Sequence, residues 1–200
     1  MSLTVFTDVD HAGCKVTRKS TNGLCVFLGC NLLVWGSRKQ SMVARSIVEA
    51  EYRVVAQGVT KILWLKSLLL ELGYPCEKIP ILWCDNLAAK SMAENPVFHS
   101  RTKHIEIDVH FVREKIENKD VEVRYVPTLH QVADIFTKGL SRDRFLFLSH
   151  KLRLQQSPMN SIQPVVCADA KIQLLSTTAA DGSTSSALPR ELDLRGNVEE

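Results

Sequence analysis

Apolar positions along this chain first alternate, then recur at helical spacing, then alternate again. The run from Leu3 to Asp8 is strand-like: Thr4, Val5, Phe6 and Thr7 suit a pleated, half-buried surface, and Asp8 closes it. After the polar loop CKVTRKSTNG, the block LCVFLGCNLLVWGS holds two β-rich runs around Gly29, Cys30 and Asn31, which predicts a hairpin. Ile47, Ala50, Val54, Ile62, Leu65, Leu69 and Leu72 predict a long helix over Ser46–Leu72, its pattern broken only near Gly58. Gly73 stops that helix and Pro75 bars its resumption. Ile79–Cys84 reads as a short strand, and LAAKSMAEN as a helix capped by Asp85 or Asn86. Ile105, Val109, Val112 and Ile116 mark a further helix, and Val121–Val126 a further strand. Val132, Ile135, Phe136, Phe145, Leu148 and Leu152 mark a last helical region from His130 to about Leu154. The order predicts an α/β fold: a mixed five-stranded sheet, three antiparallel N-terminal strands plus two further strands, flanked by helices.

From Gln155 onward the periodicity stops. Stretches such as STTAADGSTSSALP, rich in Ser, Thr and Ala, predict a folded domain over 1–154 and a disordered tail over 155–200. With 45% hydrophobic and 24% charged residues, the composition is that of a soluble globular protein. No apolar run approaches the roughly 20 residues of a membrane span, and the N-terminus lacks a secretion signal. An intracellular protein without a membrane partner is expected. Cys14, Cys25, Cys30, Cys76, Cys84 and Cys167 form no C-x-x-C pair, and several lie in apolar runs, so free thiols in a reducing compartment are expected. The net charge of +3 is uneven: residues 155–200 carry three basic and six acidic side chains, leaving 22 against 16 in the first 154. A modestly basic body is compatible with a nucleic-acid partner.

Four acids stand out by position. Asp8 ends the first strand, Glu51 lies near the buried face at the start of the long helix, Asp85 ends the next strand, and Asp134 sits early in the last helical region. If the first and fourth strands are neighbours, Asp8 and Asp85 emerge at one edge, within reach of Glu51 and Asp134 from flanking helices. Carboxylates converging there repel unless cations lie among them, and hard oxygen donors suit Mg²⁺ or Mn²⁺ rather than zinc. Taken singly, each acid has an ordinary explanation: Asp85 as a helix cap, Asp8 and Asp10 as turn residues, Glu51 and Asp134 as helix-start charges. Spacing alone does not decide between the two.

The blocks FTDVDHAGCKVTRKSTNGLCVFLG, VEAEYRVVA, ILWCDNLAA, NPVFHSRTKHIEIDVHFVRE and VRYVPTLHQVADIFTK follow in order. Together they resemble the ribonuclease H domain of copia-type retrotransposon polyproteins of plants, over roughly Leu3 to Leu154. The resemblance implies a ribonuclease H-like fold, cleavage of the RNA strand of an RNA–DNA hybrid, and two Mg²⁺ or Mn²⁺ ions. It implies Asp8, Glu51, Asp85 and Asp134 as catalytic and metal-binding residues, with Glu49 and Asp10 the nearest wrong choices. Glu51 is also placed to contact a ribose 2′-hydroxyl, and Lys15, Arg18, Lys19 and Arg38 to contact backbone phosphates. His130 is a possible auxiliary, by analogy with the mobile histidine of many such enzymes. His99, His104 and His110 suggest no zinc site, since no cysteine pair joins them. In such polyproteins a reverse transcriptase is covalently attached, and the setting is a cytoplasmic virus-like particle or the nucleus. The chain departs from the pattern at His11, at Ser46-Ile47-Val48 and at Lys138-Gly139-Leu140; none of these changes removes a carboxylate. The alternatives are a weak or inactive nucleic-acid-binding remnant of a degenerate element, and an inert fragment.

Overall fold

Strand β1 (Leu3–Asp10) shows how the chain divides into two layers. Leu3, Val5, Thr7 and Val9 are buried on one face, while Phe6 and Asp8 lie on the other, as the two-residue period of a strand requires. The computed structural model describes residues 2–94 and 105–153. The remaining elements are β2 (Thr21–Leu28), β3 (Asn31–Lys39), α1 (Ile47–Glu71), β4 (Ile81–Cys84), α2 (Leu87–Glu94), α3 (Glu106–Glu117), β5 (Glu122–Tyr125) and α4 (Arg142–Lys151). Two 3₁₀ turns, Thr128–His130 and Val132–Phe136, precede α4.

The five strands run in the order β3-β2-β1-β4-β5. Pairing is antiparallel between β1 and β2 and between β2 and β3, and parallel between β1 and β4 and between β4 and β5. This is the mixed sheet that the sequence predicts. Gly29 and Cys30 make the turn of the β2–β3 hairpin, Gly29 at a φ of 61° that glycine adopts without steric cost.

On one face α1, α2 and α3 cover Leu3, Val5, Val26, Leu82 and Val123. Gly58 accounts for the gap in the apolar pattern of α1: an added Cβ would lie 2.7 Å from Leu82 Cδ1 and 3.0 Å from Thr7 Cγ2, so the helix rests directly on the sheet there. On the other face Cys25, Phe27, Val132 and Leu152 cluster with Phe6, Ile135 and Phe136.

Several expectations shift. Asp8 does not end β1, which continues through Val9 and Asp10 against Asn22 and Thr21. The single last helix is broken into the 3₁₀ turn at Val132–Phe136 and α4, whose N-cap Ser141 accepts a hydrogen bond from the Arg144 N–H. Cys14, Cys25, Cys76 and Cys84 carry free thiols, but Cys30 is disulfide-bonded, against expectation. The tail over 155–200, His99 and His104 lie outside the described residues.

Candidate active site

The parallel β1–β4 ladder ends at the pair Thr7–Cys84. Asp8, the next residue of β1, and Asp85, the first residue after β4, therefore stand side by side where the two strands part. This is the carboxyl end of parallel strands, where α/β folds place ligands. Asp134 reaches the same point from the 3₁₀ turn on the Phe6 face. One carboxylate oxygen from each of Asp8, Asp85 and Asp134 lies within 4.8 Å of the others; Asp8 and Asp134 are buried and Asp85 half-buried.

Glu51 is the fourth acid. Its oxygens fall outside that 4.8 Å group, yet burial first, and then the charges of Asp85 and Asp8, push its carboxyl up to about 9. Val9, Ala50 and Val54 pack together and hold the first turns of α1 over the end of β1. Glu49, two residues earlier, is spent elsewhere. Its carboxylate accepts from the Arg45 N–H at 2.8 Å and pairs with Arg53 at 2.7 Å, while Ser46 caps the helix through the Glu49 N–H. Asp10, beyond the ladder, is not in the group.

Burial also raises the Asp8 carboxyl above its usual range, although a hydrogen bond from the Thr137 hydroxyl and the charge of Lys138 pull it back. Lys138 Nζ lies 3.2 Å from Asp8 Oδ1 and 2.8 Å from Asp134 Oδ1. Burial disfavours its ammonium, but Asp134 and Asp8 more than offset this, and its pKa rises. Arg144 donates to Asp134 Oδ2 at 3.1 Å and to the Thr128 carbonyl at 2.7 Å, and also to the Leu129 carbonyl. Gln131, fully buried, donates to the Thr7 carbonyl at 2.8 Å and accepts from the Ala133 N–H at 3.2 Å. Opposite Asp8 in the β1–β2 ladder stands Gly23, whose missing Cβ admits Ala133 and Thr137.

Four carboxyl groups thus meet two cationic side chains. Among the described residues Glu51 Oε2 and Asp85 Oδ1 are buried without a hydrogen-bond partner, and such groups are costly unless something binds them. An all-oxygen, acid-rich set fits Mg²⁺ or Mn²⁺.

Of the other expected residues, Lys15, Arg18 and Arg38 are exposed and Lys19 half-buried, in the loop after β1 and at the end of β3. The structure does not bring them against the four acids. His130 is exposed, with no hydrogen bond to the acids among the described residues. His110 faces Glu106 one turn back on α3 at 3.9 Å. Thr128, Gln131, Thr137, Lys138 and Arg144 were not anticipated. Each is a single polar side chain, and the spacing of apolar residues does not single one out.

The chain is 44% identical over 158 residues to the retrovirus-related Pol polyprotein from transposon RE1 of Arabidopsis thaliana, covering 79% of this chain and 11% of the polyprotein. It is 34% identical over 140 residues to that of transposon TNT 1-94 of Nicotiana tabacum, covering 70% of this chain and 10% of the polyprotein. The chain therefore spans about a tenth of the length of these relatives. No protein-family model matches it. Among solved structures it is similar to LC11-RNase H1 from compost, with a TM-score of 0.52 at 13% identity over 68% of this chain and 92% of that one. The same protein in complex with an RNA/DNA hybrid gives a TM-score of 0.50 at 12% identity, over 68% and 93%. At such identities the likeness establishes the ribonuclease H-like fold.

Proposed function

The chain is a ribonuclease H-like domain of the kind found in plant copia-type retrotransposon Pol polyproteins, and from that premise we propose that it is a metal-dependent endoribonuclease acting on RNA–DNA hybrids. One observation carries the reading: three carboxylates from β1, β4 and the 3₁₀ turn lie within 4.8 Å of one another, with buried Glu51 electrostatically coupled to all three. In this reading Asp8, Asp85 and Asp134 hold the ions and Glu51 completes the site. When bound, two Mg²⁺ or Mn²⁺ ions supply the positive charge that stabilises the attacking and leaving oxygens of in-line phosphodiester hydrolysis and makes water a better nucleophile. The products are a 3′-hydroxyl and a 5′-phosphate.

The chain's own residues do the rest. Thr137 orients the Asp8 carboxylate, Arg144 orients that of Asp134, and Gln131 locks the 3₁₀ segment to β1. Glu51 faces the ribose 2′-hydroxyl that distinguishes RNA from DNA. The exposed Lys15, Arg18 and Arg38, with Lys19, contact backbone phosphates, and His130 is an auxiliary. We assign this domain to residues 1–154, with 155–200 as a tail. In a full polyprotein an attached reverse transcriptase would share the hybrid, inside the cell, in a cytoplasmic particle or in the nucleus. Among the described residues no helix is long and apolar enough to cross a membrane.

The test is cleavage of a labelled RNA–DNA hybrid in Mg²⁺ and then Mn²⁺, with Asp8→Asn and Asp85→Asn as controls. Metal-dependent cutting of the RNA strand, lost in both variants, supports the reading. A folded protein that binds the hybrid without cutting it is a binding remnant, and one that does neither is an inert fragment. Cutting that survives both substitutions means the site is wrong.

A further inference from the structure

Lys138 lies between two buried acids of the site, Asp8 and Asp134. Its ammonium bridges Asp134 Oδ1 at 2.8 Å and Asp8 Oδ1 at 3.2 Å, on the edge those carboxylates share. The Lys138 side chain is 36% exposed, against 1% for Asp8 and 5% for Asp134, so it enters from the solvent side. Arg144, the other cation of the cluster, is fixed by two backbone carbonyls as well as by Asp134. Among the described residues the Lys138 ammonium hydrogen-bonds only to the two acids, and its backbone lies between the 3₁₀ turn and α4, outside any helix.

From this geometry we propose that Lys138 is an internal cation that competes with divalent ions: it holds the Asp8–Asp134 edge in the ion-free protein and swings out when an ion takes that edge. The inference rests on the reading that these acids hold ions. A lysine ammonium is a compact point charge on a flexible stem, suited to such a role. Two cations within a few ångströms in a half-buried site repel strongly, so the same edge cannot serve both. Lys138 thereby spares the ion-free fold two adjacent unbalanced carboxylates and sets the ion concentration at which the site fills.

The experiment measures Mn²⁺ binding to the full chain, by the paramagnetic resonance of free Mn²⁺, together with thermal melting with and without Mn²⁺. The proteins are wild type, Lys138→Met, Lys138→Arg and Asp134→Asn. The Met variant should melt earlier without ions, bind Mn²⁺ on the order of tenfold more tightly, since a competing unit charge is gone, and gain more on adding Mn²⁺ than wild type does. The Arg variant should stay near wild type. Unchanged or weaker Mn²⁺ binding by the Met variant overturns the proposal. If that variant folds only with Mn²⁺, the larger gain in melting temperature is the readout, and a gain no larger than that of wild type overturns it. Wild type and Asp134→Asn binding Mn²⁺ alike would instead refute the metal-site reading itself, a separate failure.

Discussion

Two regions supply the acids of this site, and they are built on different principles. Asp8, Glu51 and Asp85 stand on the sheet and its covering helix, where backbone ladders and a continuous apolar core fix their positions. Asp134 stands on a short 3₁₀ turn held by single side chains: Gln131 to Thr7, Arg144 to two carbonyls, Thr137 and Lys138 to Asp8. The sheet would place its three acids with or without the fourth. The turn has little structure of its own and takes its shape from what it touches. Damage to the first region should therefore lower global stability, and damage to the second should disable the site while the fold survives.

The largest effect should come from the core. Leu82→Ala removes a fully buried side chain packed under Gly58 and should cost about 2–5 kcal/mol, read by denaturant unfolding, while the folded fraction keeps its ion affinity. Gly23→Ala should come next. Its Cβ would meet Thr137 Cγ2 at 2.6 Å and the Ala133 carbonyl oxygen at 2.8 Å, an overpacking cost of about 1–3 kcal/mol. Cleavage should fall far more than stability does, because the turn must move off Asp8. A loss of stability without that loss of activity would erase the contrast between the regions.

Arg144→Ala should cost about 1–2 kcal/mol, since it strips charge-assisted bonds from a partly buried group. Hydrogen exchange should show the loss at residues 128–137 first, with the sheet amides unchanged. Uniform loss of protection would mean that the turn is not a separate unit. The smallest effect is one of slope. Glu51 has a folded value near 9 against an ordinary 4.5, so the native state keeps a proton that the unfolded chain releases. The stability this contributes is full below pH 4.5 and is lost as pH rises towards 9. Ion-free melting temperatures should therefore decline across that window, and Glu51→Gln should flatten the decline.

The same division explains what was legible in the sequence. Strand alternation and the β2–β3 turn are local signals, and they predicted the sheet. Even the blank at Gly58 proved to be a contact, visible beforehand only as a missing side chain. The carboxylates at Asp8 and Asp85 were marked by polar residues closing apolar runs. For Asp134 the helical spacing of Val132, Ile135 and Phe136 pointed to a helix that does not form. Those side chains fill a gap beneath the sheet, and filling it needs only a turn. Lys138 and Arg144 carried no warning, because a surface cation and one clamped on a buried carboxylate look alike in sequence.

The bonds that close the site span nearly the whole domain: Gln131 to Thr7 across 124 residues, and Lys138 to Asp8 across 130. During synthesis Asp8 therefore leaves the ribosome well before its last partners do. At about 5–20 residues per second the delay is roughly 6–26 s. During that interval the nascent chain can assemble its sheet without yet owning the complete cluster of acids and cations. A stop codon just after β5 would release a product with all five strands and an unfinished acid cluster.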